Sequence, residues 1–362
     1  MSEPESILIS IPNWVGDVVM ATPALDAVRR RFPKARITHL MRPYVADVLA
    51  GAGLADDALF WPAGGGIRGL PALIHEIRSR FFDLGVLLTN SFRSAMVFRL
   101  GGVRRRAGYA RDGRGWLLNE RLKPERRDGE FIPVPALDYY NALARQIGCD
   151  DVRDGMVLAT SAEDEAAIDR RLGEMDAARP LVVLNPGANY GSAKCWPAEK
   201  YARLADLLVD RYNARVVASL GPKEREIAER LKAAVTRKIE VFNDPPLGLG
   251  PLKALIRRSR LLITNDTGPR HFAPPFGVPV VTIYGSSDPA WTVTRFSGER
   301  NVMLNLDCQP CMERTCPLGH HDCMKKLEPE LVLSAADEFL AAGRRVAGDG
   351  ANRVIPLGNS RA

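Results

Sequence analysis

Three short stretches carry residue types whose spacing suits phosphate and proton chemistry. The first, Thr264-Asn265-Asp266-Thr267-Gly268-Pro269-Arg270-His271, follows the apolar run Leu261-Leu262-Ile263. A strand that turns at once into a helix leaves backbone N–H groups pointing at the gap. The helix dipole adds partial positive charge there, so an anion such as a diphosphate binds well. Asp266 and His271 flank those donors with chemistry a packing turn does not need, although capping of the helix by Asp or Thr is the alternative. The second stretch runs from Asn185 to Pro197, directly after Leu181-Val182-Val183-Leu184. In it Gly187 and Gly191 let the backbone approach a ligand, and Lys194 offers a mobile cation to phosphate. The third is Asn13-Trp14-Val15-Gly16-Asp17, at the end of the first apolar run. A carboxylate there is placed to act as general base toward a hydroxyl, or to cap a helix.

Read together, Lys194 and the Thr264–His271 loop suggest a bound diphosphate, and Asp17 a base that deprotonates an acceptor. That is the logic of glycosyl transfer from a nucleotide-diphosphate donor. One base attacking opposite the leaving group predicts inversion at the anomeric carbon. Lys194 and a helix N-terminus supply the positive charge a departing diphosphate needs, so a metal is not obligatory.

The elements that must hold these stretches alternate between strand and helix. Strands are expected at 6–11, 35–41, 58–61, 84–88 and 104–109, with helices at 18–31, 44–49, 70–80, 92–100 and 136–147. Pro23 falls inside the first helix, where a kink or late start is expected. The charged stretch 113–135 reads as an irregular loop region, and a connecting segment ends near Pro180. The pattern then restarts, with strands at 181–185, 214–220, 239–242, 261–264 and 278–284. Helices are expected at 197–211, 224–235, 252–258 and 328–342. Strands apolar on both faces, separated by helices, argue for parallel doubly wound sheets. The chain is too long for one ordinary core. Two α/β domains are expected, at 1–175 and 176–345, with a loose tail over 346–362. Ligands of such sheets sit beyond the carboxyl ends of the strands, and with two domains the natural place is the cleft between them.

Several classes are disfavoured. The 46% hydrophobic content is that of a globular chain. No Gly-x-Gly-x-x-Gly follows the first strand and no Walker A sequence occurs, which weighs against dinucleotide dehydrogenases and P-loop enzymes. The amino-terminal residues lack a basic and apolar leader, and no apolar run approaches the roughly 18 residues of a membrane span. A cytoplasmic location is therefore expected. The net charge of +7 is local, concentrated between Arg93 and Arg127, with Arg104, Arg105 and Arg106 at its centre. Such a stretch suits a polyanion, whether nucleic acid, anionic lipid headgroups or a phosphorylated glycan, with a solvated basic surface as the alternative. No nucleic-acid-binding signature accompanies it. Cys308, Cys311, Cys316 and Cys323 form C-x2-C-x4-C-x6-C with His320 and His321 between them. That spacing is within reach of a structural zinc, while reduced thiols are the other reading.

Several motifs resemble one family in order along the chain. Ile9 to Leu25, built around Asn-Trp-Val-Gly-Asp, is similar to the opening of the ADP-heptose:lipopolysaccharide heptosyltransferases, inverting GT-B enzymes of glycosyltransferase family 9. Asn90-Ser91-Phe92-Arg93-Ser94-Ala95, the Asn185–Pro197 loop, the Thr264–His271 loop and the Cys308–Cys323 block each resemble segments of that family. The forms at Asn13–Asp17 and Asn90–Ala95 are nearer to the enzymes that add the second heptose than to those that add the first. The resemblance implies a GT-B fold, two Rossmann-like domains facing across a cleft, and no cofactor required for chemistry. It gives Asp17 the role of base on an acceptor heptose hydroxyl. It places Lys194, Thr267 and Gly268 on the donor phosphates, Asp266 on the donor heptose, and Gly187 and His271 nearby. Glu224, with Glu226 as the alternative, would take the adenosine ribose. Asn90, Arg93, Arg104 and Arg105 would face the anionic acceptor, the first heptose on Kdo2-lipid A. The resemblance further implies a monomer at the inner face of the inner membrane, with ADP-heptose as donor and no nucleic-acid partner. The rivals are a heptosyltransferase acting on Kdo, a nucleotide-sugar epimerase of the same fold and a basic nucleic-acid-binding protein. Two features depart from the family pattern: Pro274-Pro275, which should distort the helix after His271, and Cys195, where a second cation is common.

Overall fold

Ile7, Leu8 and Ile9 have no exposed surface, and neither have Val182, Val183 and Leu184. Runs buried on both faces need a sheet covered by helices on both sides, and a parallel sheet with crossover helices provides that. A computed structural model describes residues 3–63, 68–132, 134–187 and 191–341, together with the backbone of 353–354. Its chain divides into two compact units, 1–159 and 160–362.

The first unit runs β1 (Ser6–Ser10), α1 (Val15–Arg31), β2 (Arg36–Met41), α2 (Ala46–Leu49), β3 (Asp57–Phe60), α3 (Leu70–Ser79), β4 (Leu84–Leu87), α4 (Phe92–Leu100), β5 (Arg105–Tyr109), β6 (Glu120–Leu122), the hairpin β7 (Arg126–Arg127) and β8 (Glu130–Phe131), and α5 (Ala136–Gln146). Six strands form one parallel sheet in the order β3-β2-β1-β4-β5-β6. Pro23 does not break α1. It has no N–H for the carbonyl of Val19, and the neighbouring Thr22 hydroxyl donates to that carbonyl instead at 2.7 Å. The same hydroxyl accepts from the N–H of Val157 at 2.8 Å. The stretch 113–135, expected to be irregular, supplies β6 and the β7–β8 hairpin. These strands are too short for a period-two pattern to show.

The second unit begins with α6 (Ala162–Leu172), which packs on the later helix α9 (Leu249–Arg258) and is tied to it by Arg258, paired with Glu165 at 2.6 Å. This is why the units part near Ala159 and not near residue 175. It continues with β9 (Leu181–Asn185), α7 (Ala198–Tyr212), β10 (Arg215–Ser219), α8 (Arg225–Ala234), β11 (Glu240–Phe242), α9 (Leu249–Arg258), β12 (Leu261–Asn265), β13 (Val280–Ile283), β14 (Glu299–Val302), α10 (Asp322–Lys325), α11 (Pro329–Leu340) and β15 (Arg353–Val354). The strand order is β11-β10-β9-β12-β13-β14-β15, all parallel. Apart from β15, the tail expected over 346–362 lies outside the described residues, as do Ala188, Asn189 and Tyr190 of the Asn185–Pro197 loop.

Both sheets share one topology. In each, the chain builds strands outward on one side of a central strand and then crosses to the other. The strand order reverses between β1 and β4, and between β9 and β12. Loops leaving the carboxyl ends there diverge and open a crevice.

Candidate functional site

Asp17 lies in the first turn of α1, directly beyond β1, and its carboxyl is half-buried. It does not cap: the N-cap of α1 is Trp14, with no side-chain cap bond. Instead it accepts a hydrogen bond from the hydroxyl of Tyr140 on α5, the helix packed along α1. Burial pushes its pKa up to about 6, and the Tyr140 bond only partly offsets this. A carboxylate with that pKa is matched to accept a proton near neutral pH.

Across the β1/β4 switch point stands Asn90. Its side-chain oxygen accepts from Tyr139 Oη at 2.9 Å and from Arg114 Nη2 at 3.1 Å. Arg114 is fully buried and also donates to the carbonyls of Thr89 and Tyr109, while Tyr139 stacks on Tyr109 at 3.7 Å. Adjacent tyrosines on α5 thus serve different groups, Tyr139 the Asn90 loop and Tyr140 the carboxyl of Asp17. Arg93 lies over the Trp61 ring at 5.6 Å and shares a small pocket with Asn13, Arg42, Thr89 and Ser91. Arg42 carries no signal in sequence beyond its charge; its place after β2 brings it here.

Arg104 and Arg105 are not brought to this end. They sit at the amino end of β5, where Arg104 pairs with Asp83 at 3.2 Å and Arg105 with Glu120 at 2.5 Å. Nor is the 93–127 stretch one basic surface. Arg106 donates to the carbonyls of Leu117 and Val103, Arg114 is internal, and Arg111 and Arg126 lie over Phe131. The tertiary fold uses much of this charge for internal contacts.

In the second unit Lys194 Nζ meets Asp266 Oδ2 at 2.5 Å. Asp266 also accepts from Ser287 Oγ at 2.6 Å and from Arg270 Nη1 at 2.8 Å. Burial works to raise its pKa, but the two cations and the hydroxyl outweigh burial and hold the carboxyl well below the usual carboxylate range. His271 is buried, its Nδ1 has no hydrogen-bond partner, and burial beside Arg270 keeps the imidazole neutral. The helix expected from Pro269 is absent. Two 3₁₀ turns, Gly268–Phe272 and Pro274–Phe276, replace it, because Pro274 and Pro275 lack the N–H groups that would bond the carbonyls of Arg270 and His271 in an α-helix. Thr267 precedes the first turn without a side-chain cap bond, and Gly268 begins it. Without an α-helix the dipole contributes little here, and positive charge comes from Lys194 and Arg270.

Glu224, at the N-cap of α8, reaches back to the loop after β9. A Cβ on Gly187 would lie 1.8–2.1 Å from its carboxyl, and Glu224 Oε2 accepts from the N–H of Gly221 at 2.6 Å. Burial raises its pKa, and the Gly221 bond opposes the rise. Glu226 points outward on α8. Asn265 was not foreseen from sequence. Buried in β12, it donates to the carbonyl of Pro186 at 2.6 Å and accepts from Trp196 N–H and Tyr201 Oη at 3.3 and 3.1 Å. It stitches the loop after β9 to the end of β12.

The four cysteines border one small pocket with His320 and His321. Burial and the neighbouring thiols raise Cys323 to about 11. Among the described residues, no group of three or more His, Cys, Asp and Glu side chains is arranged to hold a metal ion. What it does is brace. Arg314 O accepts from Ala193 N–H at 3.1 Å, and a Cβ at Gly191 would lie 2.2 Å from that oxygen. Gln309 Nε2 donates to Gly285 O at 2.8 Å. The segment thus backs the turn that carries Lys194.

The model of glycosyltransferase family 9 (heptosyltransferase) matches residues 70–321. The chain belongs to glycosyltransferase family 9. It is an enzyme, a heptosyltransferase, and it is 27% identical over 346 residues to lipopolysaccharide heptosyltransferase 2 of Escherichia coli K12, covering 92% of this chain and 98% of that one. Lipooligosaccharide heptosyltransferase 2 of Haemophilus ducreyi is also 27% identical, over 92% and 99% of the two chains. The solved structure of E. coli ADP-heptose LPS heptosyltransferase II superposes with a TM-score of 0.76 at 25% identity, over 93% and 99% of the chains. The GT-B architecture expected from the motifs is the one found. In this heptosyltransferase no helix of the described residues is long and apolar enough to cross a membrane.

Proposed function

We propose that the enzyme moves L-glycero-D-manno-heptose from ADP-heptose to the first heptose of the Kdo2-lipid A inner core, with inversion. The observation that carries this reading is a pair of carboxyls in opposite states. Asp17 stands half-buried with its pKa raised to about 6. Asp266 is held ionised among Lys194, Arg270 and Ser287. Asp17 accepts the proton of the attacking acceptor hydroxyl. Lys194 and the backbone at Thr267 and Gly268 take the diphosphate, Asp266 takes a donor heptose hydroxyl, and His271 lends a neutral wall. Glu224, lodged against Gly187, takes the ribose. Asn90, Arg93 and Arg42 meet the acceptor; Arg104 and Arg105, at the far end of β5, do not. The choice of the second heptose over the first rests on the relatives named above, all of them heptosyltransferases 2 or II. On this reading the enzyme works at the cytoplasmic face of the inner membrane, where the acceptor lies, and we take it to act as a monomer.

The test is ADP release from ADP-heptose with purified enzyme and two acceptors. Turnover with heptosyl-Kdo2-lipid A, and at least tenfold less with Kdo2-lipid A, is the expected result. Equal or greater turnover on Kdo2-lipid A would reassign the enzyme to the first heptose. ADP-heptose consumption without acceptor dependence would point to a non-transferase activity.

A further inference from the structure

Behind Asp266 the second unit contains charge that the proposed donor chemistry does not require. Arg270 and Glu299 are both about 1% exposed. The Arg270 guanidinium pairs with Asp266 Oδ1 at 2.8 Å on one side and with Glu299 Oε1 at 3.2 Å on the other. Its Nη2 donates to the carbonyl of Thr292 at 2.7 Å, and its Nη1 meets the hydroxyl of Tyr284. Glu299, on β14, accepts from Thr294 Oγ1 at 2.7 Å and Thr282 Oγ1 at 3.2 Å. The result is a chain of alternating charge, Lys194–Asp266–Arg270–Glu299, drawn from three separate stretches. Its first member is the most exposed.

Such a chain is balanced only while each charge keeps a neighbour. Removing one member leaves a buried charge uncompensated. If Lys194 turns to a diphosphate, Asp266 loses one of its two cations. A carboxylate in a buried setting with no cation would take up a proton or swing away. Arg270 prevents both, and Arg270 in turn is held from behind by Glu299. Ser287 stays on Asp266 Oδ2, and the position Lys194 leaves there is open to a hydroxyl donor.

We propose that Arg270, anchored by Glu299, is a positioning residue that keeps Asp266 charged and aimed while the donor draws Lys194 away. Two partners then exchange: diphosphate replaces Asp266 on Lys194, and a sugar hydroxyl replaces Lys194 on Asp266. The nucleotide and sugar halves of the donor are thereby coupled, since the first vacates the place the second fills. This rests on the donor-site reading above. The groups facing Asp266 are Lys194 from the turn after β9, Arg270 and neutral His271 from its own loop, and Ser287 from the loop after β13. Glu299 and Tyr284 lie behind Arg270.

The test is calorimetric binding of ADP and of ADP-heptose, from about pH 5.5 to 8, to wild type, Arg270→Met and Glu299→Gln. In wild type the affinity gained from heptose, the ratio of the two dissociation constants, is expected to be constant over this range. In Arg270→Met that ratio falls at least tenfold at the acid end and recovers as pH rises, because Asp266 now titrates within the range. Glu299→Gln keeps a hydrogen-bonding side chain of the same shape. It is expected to move the ratio in the same direction by about threefold, and it serves if Arg270→Met does not fold. A ratio unchanged in both variants, or lowered equally at every pH, would overturn the coupling and leave Arg270 with a structural role. If wild type binds ADP-heptose no better than ADP, or binds neither, the donor-site reading itself fails and this inference with it.

Discussion

Asp17 and Asp266 stand beyond the carboxyl ends of strands at the same topological switch point of two alike sheets, on opposite sides of it: one follows β1, the other follows β12, the counterpart of β4. Their chemistry is opposite. Asp17 has one neutral partner, Tyr140, and burial raises it to about 6. Asp266 is more deeply buried, yet two cations and a hydroxyl hold it ionised. Burial alone therefore does not decide the state of either group. The difference is the charge brought alongside, and it separates a group that can exchange a proton from one that can only attract. The cations around Asp266 come from the turn after β9 and from its own loop. The first unit offers Asp17 none; its arginines pair with other carboxylates, such as Asp56, Asp57, Asp83 and Glu120, or bond to the backbone.

The largest test of this contrast is Asp17→Asn, which should lower kcat about 10²–10⁴-fold in the ADP-release assay while ADP-heptose binding stays near wild type. Turnover within tenfold of wild type would remove Asp17 from the chemistry. Next comes Lys194→Met. It should weaken ADP-heptose binding about 10–100-fold, the loss expected for one hydrogen bond to a charged group, with a smaller change in kcat. A loss confined to kcat would place Lys194 on the reacting centre and blur the division between the units. The pH profile sharpens the contrast further. A base with its pKa raised to about 6 is active when deprotonated, so kcat/KM should fall as pH drops through about 6. Tyr140→Phe removes a bond that favours the ionised form, so this acid limb should move upward. Activity at pH 8 should stay within about threefold. A limb that does not move would show that Tyr140 does not govern Asp17. The smallest effect is expected for Gly187→Ala, whose methyl would displace the Glu224 carboxyl. ADP affinity should fall several-fold with kcat unchanged, and unaltered affinity would take Glu224 off the ribose.

The alternation of apolar runs with helical patterns made two parallel sheets legible, because a strand buried on both faces leaves a continuous apolar run. The loops that end those runs could be picked out for the same reason. Leu261–Ile263 stops at Asp266, and Leu181–Leu184 stops at Gly187. The prolines after His271 correctly foretold a disrupted helix, since a missing N–H is a property of the residue itself. The first helix runs through Pro23, where the hydroxyl of the adjacent Thr22 bonds the carbonyl that the proline leaves open.

What lay beyond the sequence was every fact that depends on which distant strands become neighbours. The order β3-β2-β1-β4-β5-β6 decides that Asn90 and Arg93 share an end of the sheet with Asp17 while Arg104 and Arg105 lie at the other. The neighbours β12, β13 and β14 decide that Arg270 reaches both Asp266 and Glu299. Residue types and spacing determined which side chains could do chemistry. Their protonation and pairing were decided only when folding set the distances, because electrostatic interaction depends on separation and solvent, and neither is written in the order of the residues.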